Sequence, residues 1–255
     1  VELHKAIRES CDVWFYRVGM EIGIGRIAET ARRFGLGQPL GITFVSERSG
    51  IIPDVAWKRK RFGTSWYDGE TVIASIGQGY VLATPLQLAV MTAALANGGT
   101  VWKPQVVQRV ENLEGETVWS SSAELLLQSR WDGESLRAVR SAMQAVVNEP
   151  GGTAWRSRLT QLSYAGKTGT AQVVKKKDDD EESDPEQVAY QLRDHALFVA
   201  YAPADEPQIA VAVVVEHGGH GSSAAAPVAK EIFSTYFHLD PGKPVTVSED
   251  EWAGD

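Results

Sequence analysis

The chain has 255 residues, a formal net charge of −8 and 43% hydrophobic residues, eight of them tryptophan. That length buries a substantial core and favours one large domain over two, while the acidic balance argues against a nucleic-acid partner. No apolar stretch approaches the roughly 18 residues of a membrane span and the first residues lack a signal-peptide pattern, so any anchor is expected upstream of Val1. The single cysteine, Cys11, rules out an internal disulfide.

In chain order, Val1 to Arg8 reads as helix, Ser10-Cys11-Asp12 interrupts it, and a second helical run extends from Val13 to about Ile22. Another, about Gly25 to Phe34, is closed by Gly35 at the C′ position. Between Gly37 and Glu70 the sequence mixes Gly, Pro, polar and aromatic residues without sustained periodicity. Thr84, Pro85 and Gln87 spell N-cap, first helical residue and capping-box partner, and Gly98-Gly99 end that helix. Val101 to Trp119 alternates as short strands around a Glu114-Gly115 turn. Asp132 caps a helix whose Leu136, Val139, Met143, Val146 and Val147 share a face.

Ala196 to Ala202 and Ile209 to Val215 are apolar on both faces, as strands covered by helices are. The last helix offers Ala225, Val228, Ala229, Ile232, Phe233 and Tyr236 as one apolar stripe, with Pro227 tolerable only in its first turn. Lys175 to Glu186, lysines followed by acids, reads as a solvated loop, and Pro241 to Asp255 as an acidic, disordered tail.

Gly166-Lys167-Thr168-Gly169-Thr170, on a strand-like run through Val174, carries the chemistry. A lysine, two hydroxyls and glycines that free the backbone suit a carboxylate beside a reacting carbonyl, as in active-site-serine acyl transfer. A phosphate loop is excluded, because Gln161 stands where its first glycine belongs and strand, not helix, follows. No Ser-x-x-Lys occurs anywhere in the chain. Ser10 reads either as a proton-relaying hydroxyl or as a turn or N-cap hydroxyl, and Asp12 also suits an N-cap for the helix from Val13. Cys11 reads as a small buried hydrophobe, as a metal ligand with partners such as His4, Asp12 and residues upstream, or, least well, as a nucleophile. His217 and His220 have metal-compatible spacing, but the surrounding glycines favour a loop between strand and final helix, at the rim of the cleft; His195 reads as structural.

Four stretches together resemble the class B penicillin-binding proteins, in particular their elongation transpeptidases. They are Ser10-Cys11-Asp12 followed by Val13-Trp14-Phe15-Tyr16; Ile76-Gly77-Gln78-Gly79 with Ala83 to Leu88 and Ala96 to Gly99; Lys58 to Phe62 with Trp66-Tyr67; and Ala165 to Val173 followed by Arg193 to Pro203 and Glu216 to Gly219. The resemblance implies an α/β (α+β) penicillin-binding transpeptidase fold: an antiparallel sheet sandwiched by helices, plus a helical subdomain. It also implies that residues 1–240 are the C-terminal portion of that domain, incomplete without the Ser-x-x-Lys segment.

The implied activity is peptidoglycan D,D-transpeptidation by serine acyl transfer during cell elongation, with β-lactams as inhibitors. The alternatives are a non-catalytic scaffold of the same fold, a β-lactam sensor or a β-lactamase. Ser10, Asp12 and Lys167 are the implied catalytic residues, Asp12 standing where the family usually has asparagine. Thr168, Gly169 and Thr170 are the implied substrate-binding residues, with the Thr170 amide in an oxyanion hole and Gly166 and Gly169 leaving room for the substrate backbone. The nucleophile is expected upstream of Val1, which leaves this chain alone inactive. No cofactor is required, although a structural zinc could use Cys11 with ligands from upstream. Expected partners are stem peptides, β-lactams, a glycosyltransferase and a scaffold protein, at the periplasmic face of the bacterial inner membrane.

Overall fold

A computed structural model describes residues 1–42, 46–172 and 190–239. In chain order the elements are α1 (Leu3–Arg8), α2 (Asp12–Arg33), α3 (Val55–Phe62), α4 (Asp68–Ala74), α5 (Pro85–Ala96), β1 (Thr100–Trp102), β2 (Arg109–Glu111), β3 (Thr117–Ser120), β4 (Leu125–Gln128), α6 (Gly133–Asn148), β5 (Ala165–Ala171), β6 (His195–Ala202), β7 (Ile209–Val215) and α7 (Ala226–Tyr236). The expected 175–186 loop, the tail from 241 and the extension of the Lys-Thr-Gly strand through Val173 and Val174 lie outside the described residues.

The chain forms two compact units, one of residues 1–10 with 138–255 and one of residues 11–137. In the first, β5, β6 and β7 form an antiparallel sheet in that order. Registers Gly166↔Ala200, Thr168↔Phe198 and Phe198↔Val213 put these side chains on one face; Lys167↔Val199 and Leu197↔Val214 define the other. On the first face Ala196, Phe198, Ala200 and Ala202 are fully buried, and α7 covers the sheet through Ala226, Ala229 and Phe233. Phe233 meets Tyr164 edge-on at 5.0 Å. The opposite face is only half-buried at Leu197 and Val199, and Val214 is exposed. α6 buries Ala142, Met143, Ala145, Val146 and Val147, the apolar side of an amphipathic helix. It grips the start of the sheet through Asn148 Nδ2, which donates to Tyr164 O at 2.7 Å.

The second unit holds α2 to α5 and two ribbons, β1 with β4 and β2 with β3. α2 covers both helices expected before Gly35, broken at Gly23, where φ 76° and ψ 156° interrupt the helix. Its end is a Schellman motif: Gly35 N donates to Arg32 O and Leu36 N to Ala31 O. Within 37–70, where no periodicity was visible, two short helices begin. Asp54 caps α3 by accepting from Trp57 N at 2.7 Å, and Gly63 closes it in the left-handed region. From the basic run of α3, Lys58 turns inward, is 4% exposed and pairs with Glu70. The Thr84–Gln87 capping box forms as expected. Gln87 is fully buried and its Nε2 donates to Gln38 O and Ser49 O, each at 2.8 Å.

Candidate functional site

The site in the first unit starts from a turn. After α1 the chain turns at Ser10, a non-glycine residue held at φ 56°. This left-handed conformation is uncommon for a residue with a Cβ. The Ser10 amide donates to Ile7 O at 3.3 Å, while its hydroxyl accepts from Lys167 Nζ at 2.7 Å. Ser10 therefore caps no helix: Cys11 occupies the N-cap position of α2 without a side-chain cap bond. Asp12 is correspondingly the first residue of α2 rather than the N-cap of a helix from Val13. Its carboxylate is exposed in the first turn, where it complements the helix dipole.

β5 delivers the lysine. Lys167 Nζ also donates to Thr168 O at 3.0 Å, so its ammonium is held between the Ser10 hydroxyl and its own strand. Alternation sends the Thr168 side chain to the opposite face, where its hydroxyl meets Thr153 Oγ1 at 2.8 Å. Thr153 in turn donates its amide to Arg8 O at 3.2 Å. Two struts thus tie the end of α1 to β5, one through Lys167 and one through Thr153. Thr153 was not foreseen; the available signal was Gly151-Gly152-Thr153 directly after α6. Gly152 is needed there because a Cβ would lie 2.4 Å from Val146 O.

Arg8 stiffens this corner. Its guanidinium donates to Glu149 at 3.1 Å and to Glu9, and these carboxylates raise its pKa. The same bond from Arg8 holds the exposed Glu9 carboxyl below its ordinary range. Tyr164, fully buried behind β5, donates to Ser157 O at 2.7 Å, and burial raises its phenol well above the usual value.

The two glycines of the strand differ. A Cβ at Gly169 would make ordinary contact with Leu197 Cβ at 3.4 Å, so packing alone does not require glycine there. A Cβ at Gly166 would lie 2.4 Å from Phe198 Cζ and 2.9 Å from Val199 O. Gly166 is therefore a packing glycine under the buried Phe198 ring, a correction to its expected role in substrate access. His195 and His217 come together, with His217 N donating to His195 Nδ1 at 2.9 Å and the rings 4.8 Å apart. Among the described residues no group of three or more His, Cys, Asp or Glu is arranged to hold a metal. Cys11 is a free, half-buried thiol. The described residues do not by themselves make up a zinc site.

An antiparallel sheet backed by a C-terminal helix, with a Lys-Thr-Gly strand whose lysine reaches a Ser-x-Asp serine, defines the penicillin-binding class of acyl-transfer domains. Residues 1–234 match the family described as the penicillin binding protein transpeptidase domain, and the chain belongs to that family. It is 38% identical over 242 residues to the peptidoglycan D,D-transpeptidase MrdA of Haemophilus influenzae, covering 93% of this chain and 36% of that protein. It is also 38% identical to the MrdA protein of Acinetobacter baumannii over 245 residues, 96% of this chain and 36% of the relative. Among solved structures, PBP2 of Pseudomonas aeruginosa in complex with WCK 5153 superposes with a TM-score of 0.78 at 37% identity, covering 100% of this chain and 52% of that one. The complex of PBP2 with MreC from Helicobacter pylori gives a TM-score of 0.79 at 34% identity over 93% of this chain and 40% of that one. The chain thus spans about a third of the length of these curated relatives.

Proposed function

We propose that this chain supplies the Ser10–Lys167 side of a serine D,D-transpeptidase centre that cross-links peptidoglycan stem peptides during elongation and is acylated by β-lactams. The observation that carries the reading is the 2.7 Å hydrogen bond from Lys167 Nζ to Ser10 Oγ, joining residues 157 apart in sequence. No Ser-x-x-Lys lies within the 255 residues, so the attacking serine and its lysine base come from outside them. That serine attacks the carbonyl of the penultimate D-alanine, the C–N bond breaks, and the terminal D-alanine leaves as an amine. An amine of a neighbouring stem peptide then takes the acyl group from the serine ester.

Each residue here has a role in that sequence. Ser10 passes a proton between the lysine base and the departing amine, and Lys167, a donor to Ser10, keeps the hydroxyl's lone pairs oriented and draws the substrate carboxylate. Thr170 and Thr168 bind that carboxylate, which for Thr168 requires its hydroxyl to leave Thr153 Oγ1; Gly169 admits the peptide backbone, and the Thr170 amide is one oxyanion donor. Losing such a donor costs about 3 kcal/mol of transition-state stabilisation. Asp12, in the Asn position of the family's motif, is read as orienting the lysines of the complete centre. The chemistry requires no cofactor; a structural zinc through Cys11 would need ligands from outside the described residues.

Solved relatives suggest partners. One solved relative is a complex with MreC and another a peptidoglycan synthase complex that coordinates polymerisation and cross-linking. A scaffold and a glycosyltransferase are accordingly proposed here, at the periplasmic face of the inner membrane. Among the described residues no helix is long and apolar enough to cross a membrane. Labelling of the full-length protein by fluorescent penicillin tests the reading. Lys167→Ala should slow acylation more than tenfold, and an unchanged rate would remove Lys167 from the mechanism.

A further inference from the structure

The segment joining β7 to α7 has no part in the reaction as written, yet it touches the strand that carries it. We propose that Gly221 is a positioning residue for the Lys-Thr-Gly strand: the turn it opens rests on the backbone of Gly169 and fixes where the neighbouring Thr170 amide stands. This rests on the acyl-transfer reading above.

Gly221 begins a five-residue π turn, Gly221–Ala225, that runs straight into α7. A Cβ on Gly221 would lie 2.2 Å from Leu197 O, 2.6 Å from Gly169 O and 3.0 Å from Gly169 N. Gly169 and Leu197 are register partners, so all three atoms belong to one rung of the β5–β6 ladder. Backbone atoms in a ladder cannot swing aside as a flexible side chain can. Gly221 does not occupy the left-handed region, unlike Gly219 at φ 75°, whose Cβ would point into open space. Gly219 therefore serves the turn's conformation, whereas Gly221 serves the closeness of two backbones. Single π turns of this kind recur at functional sites.

The turn cannot yield easily in either direction. On one side Ala225, Ala226 and Ala229 are fully buried where α7 meets the sheet. On the other, three contacts hang the preceding residues on the start of β6. His217 N donates to His195 Nδ1 at 2.9 Å, His217 Nδ1 lies 3.2 Å from Arg193 O, and Gly219 N donates to Asp194 O at 2.9 Å. His195 faces Ala171 across the ladder, at the far end of the same strand. The two histidines are thus a latch that presses the turn onto β5, a use not assigned to them by the chemistry above. A methyl at 221 must move the turn or the strand by nearly 1 Å to reach a normal contact, and a misplacement of about that size at a reacting centre costs up to roughly 10²-fold in rate.

The test is penicillin acylation of the full-length protein, resolved into a binding constant and a limiting acylation rate. Gly221→Ala is expected to lower the limiting rate at least fivefold while the binding constant stays within threefold; a smaller rate loss overturns the proposal. Should Gly221→Ala fail to fold, the latch carries the test. His195→Phe removes the acceptor for His217 N and His195→Asn restores one, so the first should be slow and the second should recover most of the rate. Equal rates in those two variants overturn the idea. Should the unmodified protein take up no penicillin, the acyl-transfer reading fails by itself. Amide exchange at Gly169 and Thr170 then decides: faster exchange in Gly221→Ala or His195→Phe keeps the positioning role, and unchanged exchange removes it.

Discussion

Gly166→Ala separates packing from chemistry in the strand that carries the site. The added methyl would stand 2.4 Å from Phe198 Cζ, 3.0 Å from Phe198 Cε1 and 2.9 Å from Val199 O. Phe198 is fully buried and shares its face of the sheet with buried Val213, so the ring has nowhere to retreat. Overpacking of this kind costs about 1–3 kcal/mol, and the lost chain freedom of glycine returns roughly 0.5–1 kcal/mol. The net expectation is a loss of about 1–2 kcal/mol, which for a chain of this size lowers the melting temperature by about 2–8 °C. The assay is thermal and urea unfolding of wild type, Gly166→Ala, Phe198→Leu and the double variant. Because Leu has no atom at the ring's far edge, the double variant should be more stable than the sum of the singles by about 1 kcal/mol or more. Unchanged stability in Gly166→Ala together with lost penicillin acylation would refute the argument and return Gly166 to a role in substrate access.

Two further outcomes follow from the second unit. Gln87→Leu strands the carbonyls of Gln38 and Ser49 in a fully buried position and removes the acceptor for Thr84 N, so denaturant unfolding should show a loss of about 3 kcal/mol; a loss under about 1 kcal/mol would mean the carbonyls find other partners. Burial alone would raise the Asp54 carboxyl, but the Trp57 amide and the Arg32 guanidinium outweigh it and hold it below the ordinary carboxylate range. A depressed folded pKa gives stability that is present above the unfolded value of about 3.9 and lost as pH falls through the folded one. The stability gap between wild type and Asp54→Asn should therefore shrink between about pH 5 and pH 2, and a gap that does not change with pH would refute the pairing.

What could be read from sequence was whatever local chemistry decides. The Thr84–Gln87 capping box, the break at Gly23, the closing Gly35 and the bounds of β7 follow from residues that act within a turn or two of their own position. α3 and α4 escaped because eight and seven residues are too short to show a period; their signals are caps, Asp54 and Glu70, hidden in a polar and aromatic stretch. β4 was missed because its pairing with β1 is a long-range match that Leu125 to Gln128 does not announce. Among the site residues, Ser10, Lys167 and Thr168 were legible as chemistry, and the resemblance also implied Lys167 beside Ser10, as the 2.7 Å bond shows; the other connections were not legible. The Thr153–Thr168 bond and the Gly221–Gly169 contact join segments whose proximity only the tertiary fold creates. Gly166 was misread for a related reason, since a glycine beside a reactive lysine looks the same whether a substrate or a phenylalanine fills the space above it.

The left-handed turn at Ser10 has a consequence for how this position would drift under selection. At φ 56° the backbone there suits glycine or asparagine better than serine. Relieving that conformation is worth on the order of 1 kcal/mol. A library of position 10 sorted for thermal resistance should therefore fill with Gly and Asn. The same library sorted by penicillin uptake in the full-length protein should return Ser, because under the proposed reaction a hydroxyl there both accepts the Lys167 hydrogen bond and relays a proton from the lysine base to the departing amine. Divergence of the two sorted pools would measure, at one residue, how much folding stability has been exchanged for a correctly placed oxygen.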